Sequence, residues 1–142
     1  MAIVQRKDVF TSLSIQQEYY SDFFDNFDIH PVKKDLVRHT NEDAVKTSIR
    51  NLLMTNKGDK IYNGNVGSDI RGLLFENASI ANQSVLVDII KNTISNYEPR
   101  AKVIDVFVDS SIDEYSLTAT IVFSIINKEE PITLELIINR IR

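Results

Sequence analysis

From Ala101 to the C-terminus the apolar residues recur at every second position. Leu117, Ala119, Ile121, Phe123 and Ile125 alternate with Ser116, Thr118, Thr120 and Ser124, and Ile132, Leu134, Leu136 and Ile138 alternate with Thr133, Glu135 and Asn139. A period of two puts one set of side chains on one face of a β-strand. Ile104, Val106 and Val108 give a first strand of the same kind. The sequence places turns at Asp109 to Glu114 and at Asn127-Lys128-Glu129-Glu130. Three strands joined by short turns form an antiparallel meander with one apolar face, and that face requires a cover.

The cover lies just upstream. Leu86, Ile89, Ile90, Thr93, Ile94 and Tyr97 fall on one side of a helix expected over about residues 80 to 96, which Pro99 ends. An earlier helix starts at Thr40-Asn41-Glu42-Asp43, where Thr40 or Asn41 is placed to cap free backbone N–H groups and the carboxylates suit the positive helix end. Its stripe is Val45, Ile49, Leu52 and Leu53, and Asn56-Lys57-Gly58 stops it. A short helix capped by Ser68, with Ile70, Leu73 and Leu74 on its apolar side, completes the inventory. Helices first and strands last indicate an α+β fold: a small single domain with two or three helices packed on a C-terminal three-stranded meander. With 142 residues, 43% of them apolar, one core suffices.

Residues 1–34 read differently, as an aromatic and acidic N-terminal extension ahead of a domain at 35–142. Phe10, Tyr19, Tyr20, Phe23, Phe24 and Phe27 sit among Asp8, Glu18, Asp22, Asp25 and Asp28 with no Lys or Arg between them. Exposed aromatics promote association. The extension therefore either lies over its own domain or reaches a partner through Tyr19, Tyr20, Phe23 and Phe24. The last strand poses a similar choice. Its edge is open to another chain or is blunted by Glu135, Arg140 and Arg142 or hidden by the extension.

The chemistry available to this chain is narrow. There is no cysteine, so disulfides and thiolate metal sites are excluded. The N-terminus lacks the apolar core of a signal peptide, no apolar run approaches the roughly 20 residues of a membrane span, and the expectation is a soluble protein with no membrane contact. A net charge of −4 disfavours sequence-independent nucleic-acid binding. The two histidines, His30 before a proline and His39 before a helix start, read as turn or surface residues rather than metal ligands. Gly58, Gly64, Gly67 and Gly72 lack the Lys-Ser/Thr ending of a phosphate cradle. No cofactor or metal site is expected.

One polar cluster remains, Glu98-Pro99-Arg100, at the corner between helix and strand. As chemistry, Glu98 with a nearby aspartate would be the acid/base pair of a cell-wall glycoside hydrolase of lysozyme type. Arg100 opposes that reading, because an adjacent cation lowers a carboxyl pKa and keeps the group ionised where a general acid must hold its proton. As architecture, Pro99 biases Glu98 to an extended conformation and sets Glu98 and Arg100 on one side of the chain. The pair then holds the corner or presents polar groups to a docked protein.

Three stretches in order, Leu52-Leu53-Met54-Thr55-Asn56-Lys57-Gly58, Gly67-Ser68-Asp69-Ile70-Arg71-Gly72-Leu73-Leu74-Phe75-Glu76 and Asn96-Tyr97-Glu98-Pro99-Arg100, resemble the signatures of the contractile-tail baseplate wedge, or sheath-initiator, family. Its members occur in contractile-tail phages, R-type pyocins and type VI secretion baseplates. The resemblance covers about residues 35 to 142 and implies a non-enzymatic virion component of the tail baseplate, assembled in the host cytoplasm. It assigns Glu98, Pro99 and Arg100 to docking on the wedge core-bundle proteins. It assigns the edge of the strand carrying Ile132, Leu134, Leu136 and Ile138 to tail sheath subunits. Another wedge protein is the expected partner of the N-terminal arm.

Overall fold

The computed structural model describes residues 20–23, 27–74, 80–111, 116–126 and 128–139. The elements run β1 (Ser21–Phe23), β2 (Arg38–Thr40), α1 (Asn41–Met54), α2 (Ile70–Leu74), α3 (Ile80–Tyr97), β3 (Ala101–Ser111), β4 (Ser116–Ile125) and β5 (Lys128–Asn139). The last three form an antiparallel sheet in the order β3-β4-β5, and β1 pairs with β2 apart from it. This is the α+β fold with a C-terminal meander that the periodicities predict.

The core lies between the sheet and the helices. Leu117, Ala119, Ile121, Phe123 and Ile125 of β4 and Ile132, Leu134, Leu136 and Ile138 of β5 are buried on one face. Leu86, Ile90 and Ile94 of α3 meet them with Val45, Ile49 and Leu53 of α1 and Ile70 of α2. Ile89 is only partly buried, and Tyr97 stands at the helix end with its hydroxyl donating to the Asn65 carbonyl at 2.7 Å. Leu52 is likewise half-buried, on the shoulder of the α1 stripe.

Several local expectations give way to tertiary packing. Thr40 stands at the N-cap position of α1 but makes no side-chain cap bond. Asn41 is the first residue of the helix; its Oδ1 accepts from the Tyr20 N–H at 3.4 Å, while its own N–H donates to the Tyr20 carbonyl at 2.8 Å. Ser68 is not a helix cap. It is buried and donates its hydroxyl to the Leu53 carbonyl at 2.5 Å, satisfying an acceptor left free at the end of α1. Gly67, at φ +134°, permits that contact, since a Cβ there would lie 2.7 Å from the Thr55 carbonyl oxygen. The chain leaves α1 through an extended Thr55 rather than at Gly58, which takes φ +91° in the turn beyond.

The sheet departs from strict alternation at two points. Val103 pairs with Phe123 and Asp105 with Val122, so Ile104 is an extra residue on β3. This bulge turns Ile104 outward, 54% exposed, where the alternation had placed it with Val106 and Val108. The inward face of β3 is instead Ala101, Val103, Val106 and Val108. The second irregularity separates the Phe123–Ile132 and Ile125–Lys128 pairs, where Pro131 is tolerated because β5 is an edge strand. The strands also run further into the polar stretches than expected. Asp109, Ser110 and Ser111 belong to β3, and Lys128 to Glu130 belong to β5.

Candidate docking site

Glu98, Pro99 and Arg100 form the corner between α3 and β3. The Glu98 N–H donates to the Ile94 carbonyl at 2.8 Å as the last helical bond, and the Ala101 N–H donates to the Glu98 carbonyl at 3.1 Å. The second bond closes a β-turn with Pro99 at the position its fixed φ favours. Glu98 is therefore the first residue of a turn rather than an extended strand residue, and the turn is what brings the two charged side chains together. A further bond, from the Ile126 N–H to the Arg100 carbonyl at 3.2 Å, ties the β4–β5 turn to the corner.

The ion pair is bidentate. Arg100 Nε donates to Glu98 Oε1 at 2.6 Å and its Nη2 to Oε2 at 2.7 Å. Ser48 of α1 donates its hydroxyl to the same Oε2. Glu98 is 3% exposed, and both its oxygens are occupied within the chain. Burial by itself pushes its carboxyl pKa up. The hydrogen bonds from Arg100 and Ser48, with the guanidinium charge, outweigh burial and hold the group below the ordinary glutamate range. Hydrogen bonding to Glu98 likewise raises Arg100, so both stay charged. A carboxylate held ionised and shielded this way is set against the demands on a glycosidic general acid.

Two partners of this corner escaped the sequence. Ser48 lies beside Ile49 on the edge of the α1 stripe, a place where a hydroxyl needs an acceptor, but nothing local identifies a residue fifty positions away. Tyr20 sets its ring 5.5 Å from the Arg100 guanidinium, close enough for a cation–π contact. The end of the N-terminal extension is thus laid on its own domain: Ser21–Phe23 pairs with Arg38–Thr40, and Arg38 stands 5.6 Å from the Phe23 ring. Tyr19 and Phe24 lie outside the described residues.

The second expected surface is β5. Ile132, Leu134, Leu136 and Ile138 all point inward, so a chain arriving at this edge would meet backbone groups and the exposed Thr133, Glu135 and Ile137. Residues 132–139 run in unbroken register with β4, and among the described residues no strand pairs with the other side of β5. Among the described residues of the extension, Ser21–Phe23 pairs with β2 and not with that edge. His30 is a turn residue, as expected: its Nδ1 accepts from the Val32 and Lys33 N–H groups at 3.2 Å.

The pattern of the family described as "Baseplate wedge protein gp25" matches residues 39–130, more than half of the chain and both partners of the ion pair. The chain belongs to the baseplate wedge protein gp25 family. Its relatives include the baseplate wedge protein gp25 of Enterobacteria phage T4, 30% identical over 99 residues that cover 70% of this chain and 75% of the T4 protein. The fold is similar to that of a protein from Geobacter sulfurreducens named as a candidate tail lysozyme, with a TM-score of 0.66, 19% identity and coverage of 71% of this chain and 92% of the other. A chain of the anti-feeding prophage baseplate gives 0.61 at 19% identity and 87% coverage of each. A chain of the type VI secretion baseplate complex gives 0.54 at 16% identity, covering 67% of this chain and 91% of that one. At these identities the three structures speak to the fold, and the family assignment stands on the sequence matches.

Proposed function

We propose that this chain is a structural, non-enzymatic subunit of a contractile-tail baseplate wedge, docking through its Glu98-Pro99-Arg100 corner on the wedge core bundle and offering its β5 edge to the first tail sheath subunits. The observation that carries this is the family match over 39–130, which spans the corner, together with the names of the T4 relative and of two fold neighbours from baseplates. The geometry supports a division of labour within the triplet. Glu98 spends its carboxylate inside the chain and acts by holding Arg100, so the docking surface is the exposed Pro99 and the open part of Arg100, whose side chain is 29% exposed. The N-terminal arm reaches another wedge protein through Tyr19, Tyr20, Phe23 and Phe24, with one face of the Tyr20 ring engaged with Arg100.

The docking test is co-expression of the full chain with the core-bundle subunits of the same phage. Pro99→Tyr, which crowds the exposed turn and leaves the ion pair in place, is expected to abolish co-purification of a folded subunit. Normal co-purification would remove the corner from the interface. For the edge, single prolines at Thr133, Leu134 and Glu135 remove backbone donors of both orientations. Those whose N–H points away from β4 are expected to leave the domain folded and stop sheath nucleation, and sheaths of normal yield from every folded variant would refute strand addition.

A further inference from the structure

Beside the corner lies a groove of about 640 Å³ between the C-terminal half of α3 and the start of β3. We infer that it seats an acidic, apolar-centred segment of the protein that docks at the corner, a reading that rests on the docking role proposed above. Pro99 lines the groove and is also the exposed apex of the turn, so the two surfaces are continuous. The volume lies within the roughly 300–1,000 Å³ of clefts that hold a sizeable ligand.

The lining of the groove combines exposed apolar side chains with two lysines. Ile104 is 54% exposed and Ile126 is 67% exposed, and both line it. Neither is a stray surface residue. Ile104 is turned out of the core by the bulge, and Ile126 is held over the groove by its N–H bond to the Arg100 carbonyl. A bulge that re-aims a side chain beside a site is a recurrent device. Lys91 and Lys102 also line the groove. Lys91 makes a loose, half-exposed pair with Asp105 at 3.4 Å, and Lys102 forms no ion pair among the described residues. On a chain of net charge −4 this is a local reversal of sign, and it selects an occupant with carboxylates flanking apolar side chains. A nucleic acid would use the lysines and leave both isoleucines in water, so a protein segment accounts for more of the surface.

The experiment uses the full chain and the co-expressed core-bundle subunits of the same phage. Lys102→Glu and Ile126→Asp are each expected to weaken capture at least tenfold with melting temperatures close to the parent, whereas Ile61→Asp, at an exposed position that does not line the groove, leaves it unchanged. Wild-type capture should fall with added salt, and less steeply in Lys102→Glu. A photo-crosslinker at position 126 should join to a bundle peptide rich in Asp and Glu. If Lys102→Glu and Ile126→Asp bind normally while Pro99→Tyr does not, the groove is not part of the interface although the corner is. If Pro99→Tyr also binds normally, the docking role itself fails. Salt-sensitive retention on DNA that is lost in Lys102→Glu, with no crosslink to a bundle subunit, would replace the protein occupant with a nucleic acid.

Discussion

Replacing Arg100 with alanine tests what holds the corner together. The substitution removes two charge-assisted hydrogen bonds, at 2.6 and 2.7 Å, from a carboxylate that is 3% exposed, and leaves it the Ser48 hydroxyl and the backbone N–H of residue 100. Stripping one partner from a fully buried ion pair costs about 3–5 kcal/mol. Here the Arg100 side chain is 29% exposed, so water enters the space it vacates and solvates part of the orphaned charge. The expected loss is about 2–3 kcal/mol, below that full-burial range. Against the roughly 5–15 kcal/mol of a typical domain the chain stays folded at 25 °C. Its melting temperature should drop by roughly 6–12 °C.

The pH dependence carries the sharper signature. In the parent the Glu98 carboxyl is depressed below its unfolded value, so the pair's stabilisation is fully present above about pH 4.3 and is lost as pH falls through the lower folded value. In Arg100→Ala, burial is opposed only by Ser48 and the backbone N–H of residue 100 and pushes the carboxyl up, so protonation relieves the variant. The gap between parent and variant should be widest near pH 7 and close towards pH 3.5. Neutralising the carboxylate should act in the same way, so Glu98→Gln/Arg100→Ala should be more stable than Arg100→Ala alone at pH 7. Urea unfolding followed by far-UV circular dichroism at the two pH values measures all of this. A loss under 0.5 kcal/mol at neutral pH, or a gap that does not narrow in acid, would show that the buried pair is not what secures the turn.

Other outcomes follow from the same contacts. Ser48→Ala deletes a donor to an ionised acceptor and should cost about 1–2 kcal/mol. Its effect should not add to that of Arg100→Ala in a double-mutant cycle, because both groups serve the same carboxylate. Gly67→Ala combines a positive φ with a Cβ 2.7 Å from the Thr55 oxygen and should cost roughly 2–4 kcal/mol. Gly58→Ala, with a positive φ but open space around the added Cβ, should cost only about 1–2 kcal/mol, and equal losses at the two glycines would deny the close approach. The hydrolase alternative predicts peptidoglycan clearing by the purified chain that disappears in Glu98→Gln; no clearing by either protein is expected, because the carboxyl is held ionised and shielded.

How much of this was legible beforehand depends on the range of the interaction involved. The helices over 41–54 and 80–97, the strand 116–125 and the last strand from Ile132 onward follow from period, because a 3.6- or 2-residue repeat of apolar side chains has one local geometry that buries them together. The family follows from three short signatures in order. The Glu98–Arg100 pairing was legible as well, since both residues flank one proline.

Tertiary structure decided what those local patterns leave open. Alternation puts Ile104 inside, and only the pairing of β3 with β4 under α3 inserts the bulge that turns it outward. Ser68 reads locally as a helix cap, and only the nearby free carbonyl of Leu53 makes it a buried donor instead. Glu98 reads as a charge waiting for another protein until Ser48, fifty residues away on α1, closes its second oxygen and Tyr20 lies over its arginine. Periodicity is a property of neighbours along the chain. The satisfaction of a buried carboxylate depends on whichever distant donors packing brings within 3 Å, and that is settled only when the helices close over the sheet.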